Sequence, residues 1–185
     1  MNRSLVITRY ATALVKYVQE SGEGEVVSRE AETLVNALAK EPEFARALAS
    51  RDVLADDAKH RLVSGALGGK ISDGMSRFAT LVISHGRGDV FPDILRSFIT
   101  RYYRSIGVRK VRLTITREPS KELMQRFYDL VKSKTGDKPV FEVVVDPSLV
   151  GGFILDLEDT LLDASVKRQL DIIRNQFIIR NRRLV

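Results

Sequence analysis

The chain has 185 residues, 44% of them hydrophobic, which is enough apolar side chain to bury a core in one large domain or two small ones. It has no cysteine, which excludes disulfides, thiolate nucleophiles and cysteine-ligated metals. Thirty basic and 24 acidic residues give a net charge of +6, and most of this modest excess lies after Gly107.

The sequence contains no run of 18 or more apolar residues and no basic, then apolar leader that ends in small residues. We therefore predict neither a membrane-spanning helix nor a secretory signal. The expectation that follows is a cytoplasmic protein, or one that is peripheral to a membrane.

Residues 1–106 are predicted to form a compact bundle of six amphipathic helices, because apolar residues recur every three or four positions between short polar links. Leu62 and Ile106 are predicted to face inward. Gly68 and Gly69 are predicted to end the fourth helix, and Ser72 to cap the fifth. The predicted helices are residues 5–20, a helix through 27–38, a short helix that Pro42 begins, residues 56–67, residues 73–85, and a long helix that Pro92 opens and Gly107 ends.

Two of these helices have apolar residues outside their main apolar face. In the first helix, Val6 and Ala13 flank the main stripe on one side, so the helix is apolar over more of its circumference than one core contact requires. In the fifth helix, Leu81 and His85 lie off the face to which Phe78 belongs.

Residues 107–185 are predicted to form a small α/β domain, because period-two alternation replaces the helical pattern. The chain as a whole is therefore predicted to belong to the α+β class, with a domain boundary at Gly107. The predicted elements are a strand at 111–116, a helix that Pro119 and Ser120 introduce, a strand at 139–145, a hairpin at 153–162 with its turn at Glu158 and Asp159, and a terminal helix that Asp163 or Ser165 caps.

The terminal helix has two apolar sides. One side is predicted to pack on the sheet, and the other is a surplus that favours a partner, since exposed apolar residues that line up mark interaction sites. The packed side is Val166, Leu170, Ile173 and Phe177, and the spare side is Ile172 and Ile179.

No catalytic, cofactor-binding or metal-binding residue is predicted. The segment Gly65–Ile71 resembles a phosphate-binding loop, but Ser64 and Ile71 occupy positions where that loop needs glycine and Ser or Thr. A helix C-cap explains its glycines better. The only histidines, His60 and His85, lie far apart in sequence without a nearby nucleophile or spaced ligands.

Four acidic residues of the hairpin would be compatible with a divalent ion or with a carboxylate pair for acid and base catalysis. Turn and cap positions account for three of them, so we favour a structural role and keep an unrecognised hydrolase as a distant alternative. The four residues are Asp156, Glu158, Asp159 and Asp163.

The basic end of the terminal helix allows two interpretations. Cations complement the dipole at a helix C-terminus, which is the structural interpretation. Arginines interleaved with an aromatic residue also bind RNA, so a basic RNA-associated adaptor is the alternative function, although no basic and aromatic RNA signature occurs elsewhere in the α/β domain. The residues are Arg174, Phe177, Arg180, Arg182 and Arg183.

Four short motifs carry a family resemblance. They are RYAxAL at 9–14, HGR at 85–87, and LVGGF at 149–153 with LDASVKRQL at 162–170, of which the last two together are the most specific. In these motifs the chain resembles the delta subunit of bacterial rotary ATP synthase, whose mitochondrial counterpart is the oligomycin-sensitivity-conferral protein. The resemblance covers the whole chain, including the order of a helical bundle and a small C-terminal domain.

The resemblance implies a peripheral-stalk subunit without catalytic activity or cofactor, at the cytoplasmic face of the bacterial inner membrane. Residues 1–106 would bind the catalytic head, by taking up the N-terminal helix of an alpha subunit in a groove between the first and fifth helices. Residues 107–185 would bind the C-terminal helices of the b subunits. Other head subunits are further expected partners, nucleic acid is not, and the membrane would be contacted only through the complex.

The expected contact residues combine the groove that the resemblance implies with the apolar surplus of the helices. For the alpha subunit they are Val6, Arg9, Tyr10, Ala13, Phe78, Leu81, Val82 and His85. For the b subunits they are Ile172, Arg174, Ile179, Arg180 and Arg182.

Overall fold

The computed structural model of the chain describes residues 3–50, 54–157 and 160–182, with side chains described up to Arg174. The chain divides into two compact units, Met1–Tyr102 and Tyr103–Val185. Both α-helices and a four-stranded sheet are present, which confirms the predicted α+β class. None of the described helices is long and apolar enough to cross a membrane.

The described part of the first unit is helical, and each helix predicted from the sequence has a counterpart. A short 3-10 turn at Gly88–Val90 precedes the sixth helix, whose last turn extends beyond the unit. The helices are α1 (Arg3–Ser21), α2 (Gly24–Lys40), α3 (Pro42–Ala49), α4 (Asp56–Ala66), α5 (Asp73–Ser84) and α6 (Phe91–Ser105).

The core of the first unit is built from the apolar stripes of these helices. Leu34 from α2, Met75 from α5 and Phe98 from α6 are fully buried. The predicted inward orientation of two residues is wrong, because Leu62 is 40% exposed and Ile106 is 48% exposed. Both lie near helix ends or at the margin of a stripe, where spacing alone does not fix the buried direction.

Local signals at the helix ends are confirmed. Gly68 and Gly69 have φ values of 71° and 81°, the left-handed conformation predicted for the end of α4. The Ser72 hydroxyl accepts a hydrogen bond from the Met75 N–H at 3.2 Å, so Ser72 caps α5.

The second unit is a sheet with one helix on its apolar face. Strands β1 (Val108–Ile115) and β2 (Lys138–Val145) are parallel and are connected by α7 (Lys121–Thr135), while β3 (Phe153–Leu157) and β4 (Thr160–Asp163) are antiparallel neighbours in the order β2-β1-β3-β4. The core lies between the sheet and α7 and contains Val111, Leu113, Ile115, Phe127, Val131 and Leu155.

The terminal helix α8 (Val166–Arg182) does not pack on the sheet as predicted. Leu170 is 54% exposed and Ile173 is 48% exposed, whereas Val166 is half-buried. The physical reason lies in the register of the sheet. Helix α7 already packs on its apolar face, and its other face includes polar residues such as Arg112 and Asp156, which lie opposite each other in β1 and β3.

Candidate functional site

An apolar groove lies between α1 and α5 in the first unit. It is an open hollow of about 270 Å³. Leu14 and Phe78 are buried and form its floor, while Ala13 and Leu81 are exposed at its margins, with 45% of Leu81 accessible. The lining residues are Ala13, Leu14, Tyr17, Gly74, Arg77, Phe78 and Leu81.

Small residues allow the two helices to form this groove. A Cβ atom at Gly74 would lie 3.0 Å from Cε1 of Tyr17 and 2.7 Å from Oε2 of Glu23. A side chain at position 74 would therefore displace the ends of the Tyr17 and Glu23 side chains, so glycine favours the close approach of α5 to α1 here. Ala13 leaves the space above Leu14 open, so the groove is a consequence of residue size on both helices.

The groove has one end at Gly74 and Tyr17, and its other end, near Tyr10, is aromatic. The rings of Tyr10 and Phe78 meet edge to face, with their centroids 6.4 Å apart. The guanidinium carbon of Arg87 lies 5.2 Å from the centre of the Tyr10 ring, a cation–π distance. His85 is the C-cap of α5, and its Nδ1 lies 2.7 Å from the Leu81 carbonyl oxygen.

Helix α5 is held in place by α2. The Glu30 carboxylate accepts hydrogen bonds from the Ser72 backbone N–H at 2.7 Å and from the Ser72 hydroxyl at 2.5 Å. These bonds join residues 42 positions apart, so they fix the start of α5, and with it one wall of the groove, against a second helix. Ser72 thus caps its own helix and also anchors it.

Three of the eight predicted alpha-contact residues line this groove: Ala13, Phe78 and Leu81. Arg9, Ala13, Leu81 and His85 are exposed on α1 and at the end of α5, and Tyr10 is half-buried beside them. The other three predicted residues are buried and offer little or no surface: Phe78 is part of the floor, and Val6 and Val82 belong to the core.

Several groove residues were missed in the sequence. Leu14, Tyr17, Gly74 and Arg77 line the groove but are not among the contact residues predicted from the sequence. Helical spacing contained a usable signal, because Tyr17 lies one turn from Ala13 and Arg77 one turn from Leu81. Residues that line a groove are found one turn away from those that mark its margin.

The second candidate surface is the exposed side of α8. Ile172 is 47% exposed, close to the values for Leu170 and Ile173, and Arg174 is exposed next to them. The side chains of the other predicted b-contact residues, Ile179, Arg180 and Arg182, lie outside the described residues, as does that of Phe177 in the predicted sheet-packing face.

The base of α8 is held by a close backbone approach. The Val166 N–H donates to the Gly151 carbonyl at 3.0 Å, and the Ala164 N–H donates to the Phe153 carbonyl at 2.9 Å. Gly152 has a φ of 77°, and a Cβ there would lie 2.2 Å from the Ala164 oxygen. Gly152 of the LVGGF motif is therefore needed for the close approach to the start of α8.

The acidic residues of the hairpin have structural roles where they are described. The Asp163 carboxylate accepts from the Ser165 N–H at 2.9 Å, and the Ser165 hydroxyl accepts from the Arg168 N–H at 3.2 Å, which caps α8. Hydrogen bonding by Ser165, followed by the charge of Arg168, lowers the pKa of Asp163. Asp156 lies opposite Arg112 in the sheet, and Glu158 and Asp159 fall outside the described residues.

The other polar features join helices. His60 Nε2 lies 3.0 Å from the Ser76 hydroxyl, which links α4 to α5. The Ser76 backbone N–H donates separately to the Ser72 carbonyl oxygen in the first turn of α5. The buried Lys59 ammonium donates to the Ser50 carbonyl at the end of α3. Across residues 3–50, 54–157 and 160–182, no group of three His, Cys, Asp or Glu residues is arranged to hold a metal.

A groove on one unit and an exposed helix on the other, with polar pairs that serve the fold, are typical of proteins that dock onto partner helices. The family model described as ATP synthase delta (OSCP) subunit matches residues 6–177. The chain belongs to this family, whose members are non-catalytic subunits of the peripheral stalk of F-type ATP synthase. The family predicted from the sequence is confirmed.

Relatives and a solved structure agree with this assignment. ATP synthase subunit delta of Phocaeicola vulgatus is 34% identical over 182 residues, covering 98% of each chain. ATP synthase subunit delta of Bacteroides thetaiotaomicron is 32% identical over the whole of both chains. A chain of the mitochondrial ATP synthase hexamer of Toxoplasma gondii shares the fold, with a TM-score of 0.68 at 18% identity over 93% of this chain and 97% of that one.

Proposed function

We propose that this chain joins the catalytic head of an F-type ATP synthase to the b subunits of its peripheral stalk and so resists rotor torque during proton-coupled ATP synthesis. It would work at the cytoplasmic face of the bacterial inner membrane and touch the membrane only through the complex. The observation that carries the proposal is the groove between α1 and α5, with exposed Ala13 and Leu81 above a buried apolar floor.

The N-terminal part, residues 1–106, would act as one six-helix bundle that binds the head. Its ligand is the amphipathic N-terminal helix of an alpha subunit, whose apolar ridge would enter the groove beside Leu81 and Tyr17. Helix-in-groove binding obtains its affinity from a few apolar anchors at helical spacing. At nanomolar affinity the contact would hold about 12 kcal/mol, which a small number of buried anchors can supply.

The C-terminal part, residues 107–185, would bind the C-terminal helices of the b subunits through α8. Leu170, Ile172 and Ile173 are each about half exposed and lie within one turn of the same helix. Such a concentration of exposed large apolar residues is typical of a protein interface. Arg174 and the predicted basic residues Arg180 and Arg182 would add charge pairing with the b helices.

The proposal is tested by titrating the full chain with a peptide of the cognate alpha-chain N-terminus. The variant Leu81→Asp places a charge in the groove and is expected to weaken binding by about 100-fold, roughly 3 kcal/mol. Leu62→Asp is the matched control, because Leu62 on α4 is similarly exposed but does not line this groove. Equal affinity of both variants for the peptide would show that the groove is not the binding site of the alpha-chain helix.

The alternative of an RNA-associated adaptor is separated by a pull-down from detergent-solubilised membranes at high salt. The stator function predicts that ATP synthase subunits stay bound, since apolar contacts do not weaken with salt. Binding to RNA through arginines would be lost, because it depends on counterion release. Recovery of RNA without ATP synthase subunits would favour the alternative.

A further inference from the structure

The groove has a defined direction, which the contacts of its two helices establish. Gly74 of α5 lies against Tyr17 of α1, and Phe78, one turn further along α5, lies against Tyr10, which is earlier in α1. The two helices are therefore antiparallel along the groove. One end of the groove is at Tyr17 and Gly74, and the other is at Tyr10, close to Arg87.

Carboxylates are concentrated at the Tyr17 end. Glu23 approaches the Gly74 position, Glu20 is in the last turn of α1, and Asp73 is in the first turn of α5. The cations on this side are Lys16, one turn before Glu20, and Arg77, which pairs with Asp73 at 2.9 Å. Three carboxylates therefore stand against two cations at this end, and Asp73 is the one paired with Arg77, which leaves Glu20 and Glu23 as the source of its negative charge.

Cations are concentrated at the Tyr10 end. Arg9 is exposed one position before Tyr10, and Arg87 lies over the Tyr10 ring. His85 follows at the end of α5. Two carboxylates are close in the chain: Asp89 lies in the 3-10 turn after Arg87, and Asp93 at the start of α6 pairs with Arg3 at 3.2 Å and with Arg96 at 3.1 Å.

We infer that the groove is an electrostatically polar receptor, which selects an amphipathic helix with basic residues at the Tyr17 end and acidic residues at the Tyr10 end. This inference rests on the proposed function and adds the chemistry of the partner to it. The apolar ridge would provide affinity, and the two charged ends would fix the direction and register of the bound helix. Flanking charges at a binding surface contribute specificity more than affinity.

The test uses the full chain and two model peptides of the same composition. Both carry the same amphipathic apolar ridge, but one has lysines in its N-terminal half and glutamates in its C-terminal half, and the other has the reverse order. Each peptide carries a nitroxide at its N-terminus, and the broadening of protein amide signals near Tyr17 or near Tyr10 reports where that terminus lies.

The inference predicts that the two peptides bind in opposite directions, with the lysine half always at the Tyr17 end. The double variant Glu20→Lys/Glu23→Lys should lose this preference. In that variant the affinity for the lysine-first peptide should fall by about five- to tenfold at low salt and by less at high salt, because exposed charge pairs are weak and screened.

Two other outcomes are distinguishable. If both peptides bind in the same direction in the unchanged protein, the charged ends do not select direction and this inference is overturned, while the groove remains a binding site. If neither the model peptides nor the alpha-chain peptide bind, both the inference and the proposed head contact fail.

Discussion

In the N-terminal unit the candidate contact surface is a groove with a buried floor, whereas in the C-terminal unit it is a helix whose apolar side chains stand in solvent. Leu14 and Phe78 are already packed beneath the groove, so a ligand meets a preformed receptor. Leu170 and Ile173 of α8 make no comparable packing within the described part of the chain, as their exposure shows.

This difference predicts that the two surfaces respond differently to binding. A preformed groove loses little conformational freedom when it is filled, and its stability depends on the core of its own unit. Helix α8 depends on the segment that holds its base and would bury most of its apolar area only on a partner. Mutations at the base of α8 should therefore have the largest effects on the C-terminal unit.

The largest effect is expected from Gly152→Val. The residue would be forced to a positive φ with its Cβ against the Ala164 oxygen, so the C-terminal unit should lose about 3 kcal/mol or more. Thermal unfolding of the full chain measures this loss. Gly136→Val is the matched control, since Gly136 also has a φ of 77° but open space around its Cβ position, and it should lose less. Equal losses would show that the close approach does not matter.

The next largest effect is expected on binding through α8. Ile172→Asp should leave the fold intact, because the side chain is about half exposed, and should weaken binding to a fragment that contains the last helix of the b chain by about tenfold or more. Leu130→Asp on α7 is the control, since Leu130 has a similar exposure of 41% in the same unit. Calorimetry of each purified variant measures the affinity, and unchanged binding by the folded Ile172 variant would remove α8 from the proposed b contact.

The features that were predicted correctly are those that depend on residues close together in the sequence. The cap at Ser72, the left-handed Gly68 and the elements of the sheet follow from local spacing and residue type. The position of α8 did not follow, because it depends on which helix covers the apolar face of the sheet, and local spacing does not show that α7 does so. The hydrogen bonds between Ser72 and Glu30 could not be predicted from local sequence either, since 42 residues separate the two.

A smaller effect is expected from Ser72→Ala, which tests how firmly the wall of the groove is held. The variant removes the cap of α5 and one hydrogen bond to Glu30, so a loss of about 2 kcal/mol in the N-terminal unit is expected. Ser120→Ala removes only a cap, at the start of α7, and should cost the C-terminal unit about 1 kcal/mol. Denaturant unfolding of both variants compares them, and a Ser72 loss no greater than that of Ser120 would mean that Glu30 contributes nothing.

The smallest effect is expected from pH at the base of α8. Because hydrogen bonding by Ser165 and the charge of Arg168 lower the pKa of Asp163 in the folded protein, the ionised carboxylate stabilises the fold. This contribution is fully present above the unfolded pKa of about 3.9 and is lost as pH falls through the lower folded value. The stability difference between the natural chain and Asp163→Asn should therefore be constant near neutral pH and change only in acid.

A difference that changes instead between about pH 6 and pH 8, where histidine titrates, would assign the effect to another group. Because 56% of the Arg168 side chain is exposed, added salt should reduce the part due to Arg168 while leaving the part due to Ser165.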